Sequence, residues 1–114
     1  MDGSPSIICD RAFEFASYIL KLCDRLYERG PSARHVAGEL MRCGMSIGAN
    51  AEEAQEGQTK KDFVAKLSIS RKEARETTVW LRLAVKNQLV RTNEVEWELS
   101  EAKQLLKMIL SDQI

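Results

Sequence analysis

Residues 6–29 read SIICDRAFEFASYILKLCDRLYER and carry apolar side chains at alternating spacings of four and three. The apolar positions are Ile8, Ala12, Phe15, Ile19, Leu22 and Leu26. This spacing puts them on one face of an α-helix, and most of the charged residues lie off that face. Gly30-Pro31, which follows at once, is a strong helix-breaking pair. The stretch therefore predicts a long amphipathic helix that needs partners to cover its apolar face.

Three further segments show the same helical periodicity, and no segment shows a convincing strand alternation. The four predicted helices span residues 6–29, 32–56, 60–88 and 93–112. Pro31 lies in the first turn of the second helix, and Thr59 with Asp62 forms a capping-box pattern before the third. Asn93 with Glu96 gives a similar signal for the fourth. Short loops join the helices, so we predict an all-α, up-down-up-down antiparallel four-helix bundle, one domain over residues 1–114.

The apolar stripes of the other helices predict the rest of the core. The stripe of the second predicted helix contains mostly small residues. A glycine inside a helix costs about 1 kcal/mol relative to alanine, so Gly44 and Gly48 predict that the backbone of a neighbouring helix approaches closely there. The three stripes are Ala33, Ala37, Leu40, Gly44, Ile47, Ala51 and Ala54; Phe63, Leu67, Ser70, Ala74, Thr77, Leu81 and Val85; and Val95, Leu99, Ala102, Leu106 and Ile109.

Composition excludes several classes of function. The chain has 114 residues and no apolar run long enough to cross a membrane or pattern of a signal peptide. Its three cysteines lack metal-site spacing, which favours a reducing cytoplasm and buried thiols. His35 is the sole histidine, so a di-iron site or a Ser/His/Asp set cannot be assembled with confidence. We expect no metal, no cofactor and no enzymatic activity.

The net charge of zero hides an uneven distribution. Residues 59–91 contain nine basic and three acidic residues, a net charge of +6, so the rest of the chain carries −6. On a helical wheel the third helix has a basic stripe that could follow a nucleic-acid phosphate backbone. A solvated face, or one neutralised by acidic residues of the same or a neighbouring chain, is the alternative. The candidate nucleic-acid-binding residues are Lys60, Lys61, Arg71, Arg75, Arg82 and Lys86.

Two other groups of residues fall outside the simple core pattern. Large apolar side chains on second faces of the third and fourth helices suggest an oligomer interface, although a small bundle also leaves such residues exposed. These are Ile69, Trp80, Leu83, Trp97, Leu105 and Met108. Polar residues at inward positions predict a polar cluster between the second and third helices, with Asn50 and Glu76 as its main pair. The cluster is Ser46, Asn50, Glu53, Glu73 and Glu76.

Three spaced motifs carry a family resemblance. Residues 43–54 (CGMSIGANAEEA), 60–69 (KKDFVAKLSI) and 72–81 (KEARETTVWL) resemble, in order, the motifs of the bacterial four helix bundle protein family. This family is also known for proteins encoded in intervening sequences of the large-subunit ribosomal RNA gene, and it is related to the accessory variability determinant of diversity-generating retroelements.

The resemblance implies a four-helix bundle that assembles as a homopentamer. It also implies RNA or DNA as a partner, and a reverse transcriptase as a possible protein partner. The two function hypotheses are therefore a nucleic-acid-binding accessory protein and an oligomeric scaffold or interaction module without a nucleic-acid role.

Overall fold

The computed structural model describes residues 5–114, so the first four residues of the predicted domain lie outside the described range. Four α-helices follow one another: α1 (Pro5–Tyr27), α2 (Pro31–Gln55), α3 (Lys60–Lys86) and α4 (Glu96–Gln113), with a single 3-10 turn at Thr92–Glu94. Within this range there is no β-strand. Each helix packs against the next, and α4 also packs against α1, which gives an elongated bundle of 45 × 20 × 19 Å.

The core confirms the stripes predicted for α1 and α2. All six apolar positions of the α1 stripe are fully buried, as are Ala33, Ala37, Leu40 and Ile47 of α2. In α3, Leu67 and Leu81 are fully buried together with the hydroxyl residues Ser70 and Thr77. Ser70 Oγ donates to the carbonyl oxygen of Ile47 at 2.6 Å, so a buried polar group bridges α3 to α2. Such a group is tolerated in the core because its hydrogen bond is made.

The small residues of α2 allow α1 to approach closely. A Cβ added at Gly44 would lie 3.0 Å from Cγ2 of Ile19, and one at Gly48 would lie 3.3 Å from Cβ of Ala12. Both distances are shorter than ordinary carbon–carbon contacts. The two glycines therefore sit at the α1–α2 contact, as the sequence predicted. Gly38, on the outer side of the same helix, has nothing within 4 Å of such a Cβ.

The turns end the first and third helices two residues earlier than predicted. After Tyr27 the N–H groups of Glu28 and Arg29 donate to the carbonyl oxygens of the residues three positions earlier. Gly30 then adopts φ 108°, a conformation that glycine tolerates best. After Lys86, Gln88 has φ 59°, and the N–H of Leu89 donates to the carbonyl oxygen of Ala84 at 2.9 Å. This pattern closes the last turn of α3.

The start of α4 differs from the prediction. A 3-10 turn occupies Thr92–Glu94, and the carboxylate that reaches back belongs to Glu94, which accepts from the N–H of Arg91 at 3.4 Å. The buried face of α4 is also rotated. Leu105 is fully buried, whereas Leu99 and Leu106 of the predicted stripe are only half-buried. Because Leu105 and Leu106 are both leucine, periodicity alone could not select between them.

Candidate nucleic-acid interface

Four arginines outside α3 are held by carboxylates of the same chain, whereas five other cations outside α3 have no carboxylate within 4 Å in the described part of the chain: Lys21, Arg34, Arg91, Lys103 and Lys107. Arg11 of α1 makes two hydrogen bonds to Glu101 of α4, at 2.6 and 2.9 Å. Arg25 and Arg29, near the end of α1, both bind Glu94, at 3.0 Å and at 2.8 and 2.9 Å. The hydrogen bond from Arg29 is the main reason that the pKa of Glu94 falls to about 2. The Arg11 pair joins α1 to α4, and the two Glu94 pairs join the end of α1 and the turn after it to the 3-10 turn that precedes α4. Each pair brings opposite charges together.

The basic side chains of α3 are different. Among the residues that the structure describes, seven of its cations have no carboxylate within 4 Å. They are Lys60, Lys61, Arg71, Lys72, Arg75, Arg82 and Lys86. Six of the seven are exposed, and Arg71 is half-buried. The remaining cation of α3, Lys66, binds Glu53 of α2 at 2.7 Å. All six candidate nucleic-acid-binding residues of the sequence therefore belong to this unpaired set, which we call the α3 basic face.

One residue of the α3 basic face is fixed by the end of α4. Arg71 Nη1 donates to Oε1 of Gln113 at 3.1 Å. The amide nitrogen of Gln113 donates in turn to Ser68 Oγ at 2.8 Å and to the carbonyl oxygen of Val64 at 3.1 Å. Gln113 thus orients Arg71 without neutralising its charge, since an amide is uncharged.

The acidic residues of α3 point away from the α3 basic face. Glu73 binds Arg42 of α2 at 3.3 Å, and Glu76 also accepts a hydrogen bond from Arg42. Trp80 Nε1 donates to Glu76 at 3.1 Å, and the Trp80 ring lies 5.8 Å from His35 in an edge-on arrangement. Glu73 and Glu76 are therefore engaged at the α2–α3 contact and leave the opposite side of the helix cationic.

The predicted polar cluster divides into separate contacts. Asn50 donates to the carbonyl oxygen of Ser46 at 2.9 Å within α2, and Glu53 pairs with Lys66. Glu76 binds Arg42 and Trp80 instead of Asn50, so the expected Asn50–Glu76 pair is not formed. Arg42 was missed, because its role depends on two carboxylates 31 and 34 residues away. No local pattern in the sequence reveals such a contact.

The candidate interface residues do not form one surface. Ile69 and Leu83 of α3 are 39% and 41% exposed, while Trp97 of α4 is 40% exposed and stacks on Tyr18 of α1. Trp80 and Met108 are half-buried, and Met108 Sδ accepts from Arg11 at 3.2 Å. Leu105 is fully buried in the core, so its assignment to the interface was wrong.

The cysteines lie in apolar surroundings. Cys9, Cys23 and Cys43 are free and buried, and burial raises the pKa of all three, to about 12 for Cys23. Within residues 5–114, no three His, Cys, Asp or Glu side chains come together as metal ligands would. No helix in this part of the chain is long and apolar enough to span a membrane.

Fold and surface together define an all-α four-helix protein with one unpaired basic helix face. The chain belongs to the 23S rRNA-intervening sequence protein family, whose sequence profile matches residues 5–111. Among solved structures it is similar to a protein of unknown function from the S23 ribosomal protein family of Bacteroides thetaiotaomicron. The two chains are 30% identical, with a TM-score of 0.88 and 96% of each chain covered. A comparison with curated proteins gave no match.

Proposed function

We propose that this protein is a non-enzymatic, nucleic-acid-binding accessory protein that binds RNA through the α3 basic face. The observation that carries the proposal is the concentration of unpaired cations on one helix. Seven of the eight cations of α3 have no carboxylate within 4 Å in the described part of the chain. Of the nine cations elsewhere, four are held by carboxylates and the other five are spread over α1, α2, α4 and the segment before the 3-10 turn. Phosphate is the natural counter-charge for such a row. RNA is favoured over DNA because the family name refers to a ribosomal RNA.

Filter binding or fluorescence anisotropy with a labelled RNA across a salt series tests the proposal. With about six phosphate contacts, log K should fall with log salt concentration with a slope of about −4 to −5. Arg75→Glu combined with Arg82→Glu should abolish binding. These positions are preferable to Arg71 because both are exposed and unpaired, whereas Arg71 also contacts Gln113.

The matched control changes the net charge equally at another surface. Lys21→Glu combined with Arg34→Glu alters two exposed cations that lie over Tyr18 and Tyr27 of α1. This control should retain most of the affinity. If it weakens binding as much as the α3 variant, only the overall charge matters and the proposed site is wrong. If the unmodified protein does not bind RNA even at low salt, the proposed function is wrong.

The second candidate function is a homo-oligomeric scaffold. It is favoured by the aromatic pair on the α1–α4 side, where the Tyr18 and Trp97 rings stack at 4.1 Å yet remain 38% and 40% exposed. Exposed aromatic side chains are typical of protein interfaces. Light scattering at micromolar concentration should give the mass of five chains, the state implied by the family resemblance, and Trp97→Ser should lower it. A mass of one chain would contradict this candidate.

A further inference from the structure

The α3 basic face repeats every eleven residues. Arg71 and Arg82 are eleven residues apart, and Arg75 and Lys86 repeat the same interval. Eleven residues advance a helix by about 16 Å and turn it through three full turns plus about 20°. The helix therefore carries two cation pairs, Arg71 with Arg75 and Arg82 with Lys86, which point in nearly the same direction at two levels. Lys60 extends the series by one more interval toward the N-terminus of α3.

Each cation pair borders a shallow groove of similar size. The first groove, of about 430 Å³, is lined by Ser68, Ile69, Arg71, Lys72 and Arg75. The second groove, of about 480 Å³, is lined by Val79, Arg82, Leu83, Lys86 and Asn87. Four of the five lining positions in the first groove have a counterpart eleven residues later in the second. The α3 basic face thus presents two similar cationic sites, although Lys72 of the first site is replaced by Leu83 in the second.

The α3 basic face has no aromatic platform. Proteins that bind single strands combine a cationic groove with aromatic side chains on which the bases stack. In the described part of the chain, Trp80 packs beside His35 on the α2 side, and Phe63 is half-buried against the core. The exposed aromatic residues lie on α1 and α4: Phe13, Tyr18, Tyr27 and Trp97. Neither groove is lined by an aromatic residue.

A duplex accounts for both observations, because it holds its phosphates at fixed distances and keeps its bases stacked inside. We infer that the α3 basic face recognises double-stranded RNA by its shape, with the two grooves contacting phosphates about 16 Å apart. This inference rests on the proposed function and specifies its ligand. A-form RNA has a wide, shallow minor groove bordered by phosphates. Because α3 packs against both α2 and α4, its outer face suits such a groove better than insertion into a deep one.

Moving one cation at constant net charge tests the spacing. The variant Val79→Arg/Arg82→Ala keeps the charge of α3 but places the cation eight residues from Arg71, about 12 Å along the helix and about 80° around it. Val79 is 41% exposed, so an arginine fits there without entering the core. The charge-matched control Val79→Arg/Arg34→Ala leaves both eleven-residue intervals intact, because Arg34 is exposed and lies on α2. Circular dichroism confirms that both variants are folded.

Binding is measured with a 24-base-pair RNA duplex, its separate unstructured strands and a DNA duplex of the same sequence. We expect the RNA duplex to bind at least tenfold more tightly than either single strand or the DNA duplex. Val79→Arg/Arg82→Ala should weaken duplex binding at least fivefold, with a smaller loss in the control and no change for single strands.

The remaining outcomes separate the inference from the proposed function. Equal affinity for duplex and single strands, or unchanged duplex binding by the relocated variant, overturns the inference and leaves the proposed function intact. Preferential binding of the DNA duplex overturns the RNA assignment. Absence of binding to all of the nucleic acids overturns both.

Discussion

Replacing Gly44 by alanine tests the close α1–α2 contact against a control in the same helix. In a helix interior, alanine is favoured over glycine by about 1 kcal/mol. At Gly44 the new methyl group would lie 3.0 Å from Cγ2 of Ile19, which is fully buried. A β-branched side chain in a helix has one strongly preferred χ1 rotamer, so Ile19 cannot easily turn aside. Overpacking of this kind costs about 1–3 kcal/mol.

We therefore expect Gly44→Ala to lower the free energy of unfolding by up to about 2 kcal/mol, because overpacking outweighs the gain in helix propensity. Gly38→Ala places a methyl group in open space and should raise it by about 0.5–1 kcal/mol. The two variants should differ by about 1–3 kcal/mol, or several degrees in Tm for a domain of this size.

Urea unfolding followed by circular dichroism at 222 nm measures both variants at one protein concentration. A double-mutant cycle then locates the cause. In an Ile19→Ala background the Cγ atoms are gone, so Gly44→Ala should stabilise the protein there. If Gly44→Ala stabilises the unmodified protein as much as Gly38→Ala does, the contact between α1 and α2 is looser than the structure shows and the reasoning fails.

Three further predictions concern polar groups. Glu94 has a pKa lowered to about 2, so its contribution to the free energy of unfolding is fully present above about pH 4.5 and is lost as the pH falls toward 2. Glu94→Gln should remove about 1–2 kcal/mol at neutral pH. Acid titration of both proteins, followed by circular dichroism, should show a smaller acid-induced loss of stability in the variant. Ser70→Ala should cost about 1 kcal/mol in urea unfolding because the bond to the Ile47 carbonyl oxygen is lost, while Ser17→Ala near the surface should change little. Burial raises the pKa of Cys23 to about 12, so a thiol reagent at pH 8 should label Cys23 only as fast as the bundle opens. Rapid labelling of Cys23 in the native protein would contradict its buried position.

The periodicity of the sequence was enough to predict which face of α1 is buried and which polar residues of α3 lie on its buried face. The stripe of α1 and the buried Ser70 and Thr77 of α3 follow directly from spacings of three and four residues. Gly44 and Gly48 were predicted to mark a close helix contact, because glycine inside a helix needs a compensating reason. Six of the seven residues of the α3 basic face were also predicted as candidates, since they lie in one segment of the chain, but the sequence left open whether acidic residues neutralise them.

Ion pairs between helices were beyond the reach of the same reasoning. Arg42 binds Glu73 and Glu76 across the α2–α3 contact. Glu94 binds Arg25 and Arg29, which lie 69 and 65 residues earlier in the chain. Which carboxylates neutralise which cations depends on helix rotation and offset, and these are set by packing of the whole bundle. A rotation of one residue in α4 likewise decided that Leu105, not Leu106, enters the core.

Zero net charge does not oppose binding of a polyanion, because 14 of the 17 acidic residues lie outside α3. The bundle is about 20 Å wide, whereas the Debye length is about 8 Å at physiological ionic strength. A phosphate at the α3 basic face is therefore largely screened from acidic residues of α1, such as Glu14 and Asp24, because α1 packs against α2 and α4. At 10 mM salt the Debye length grows to about 30 Å, and the phosphate then interacts with the charges of the whole neutral molecule. We expect the plot of log K against log salt concentration to be steep near 100 mM and to flatten below about 20 mM. A plot that stays linear to the lowest salt concentration would show that the acidic residues of α1 do not act on the bound phosphate at all.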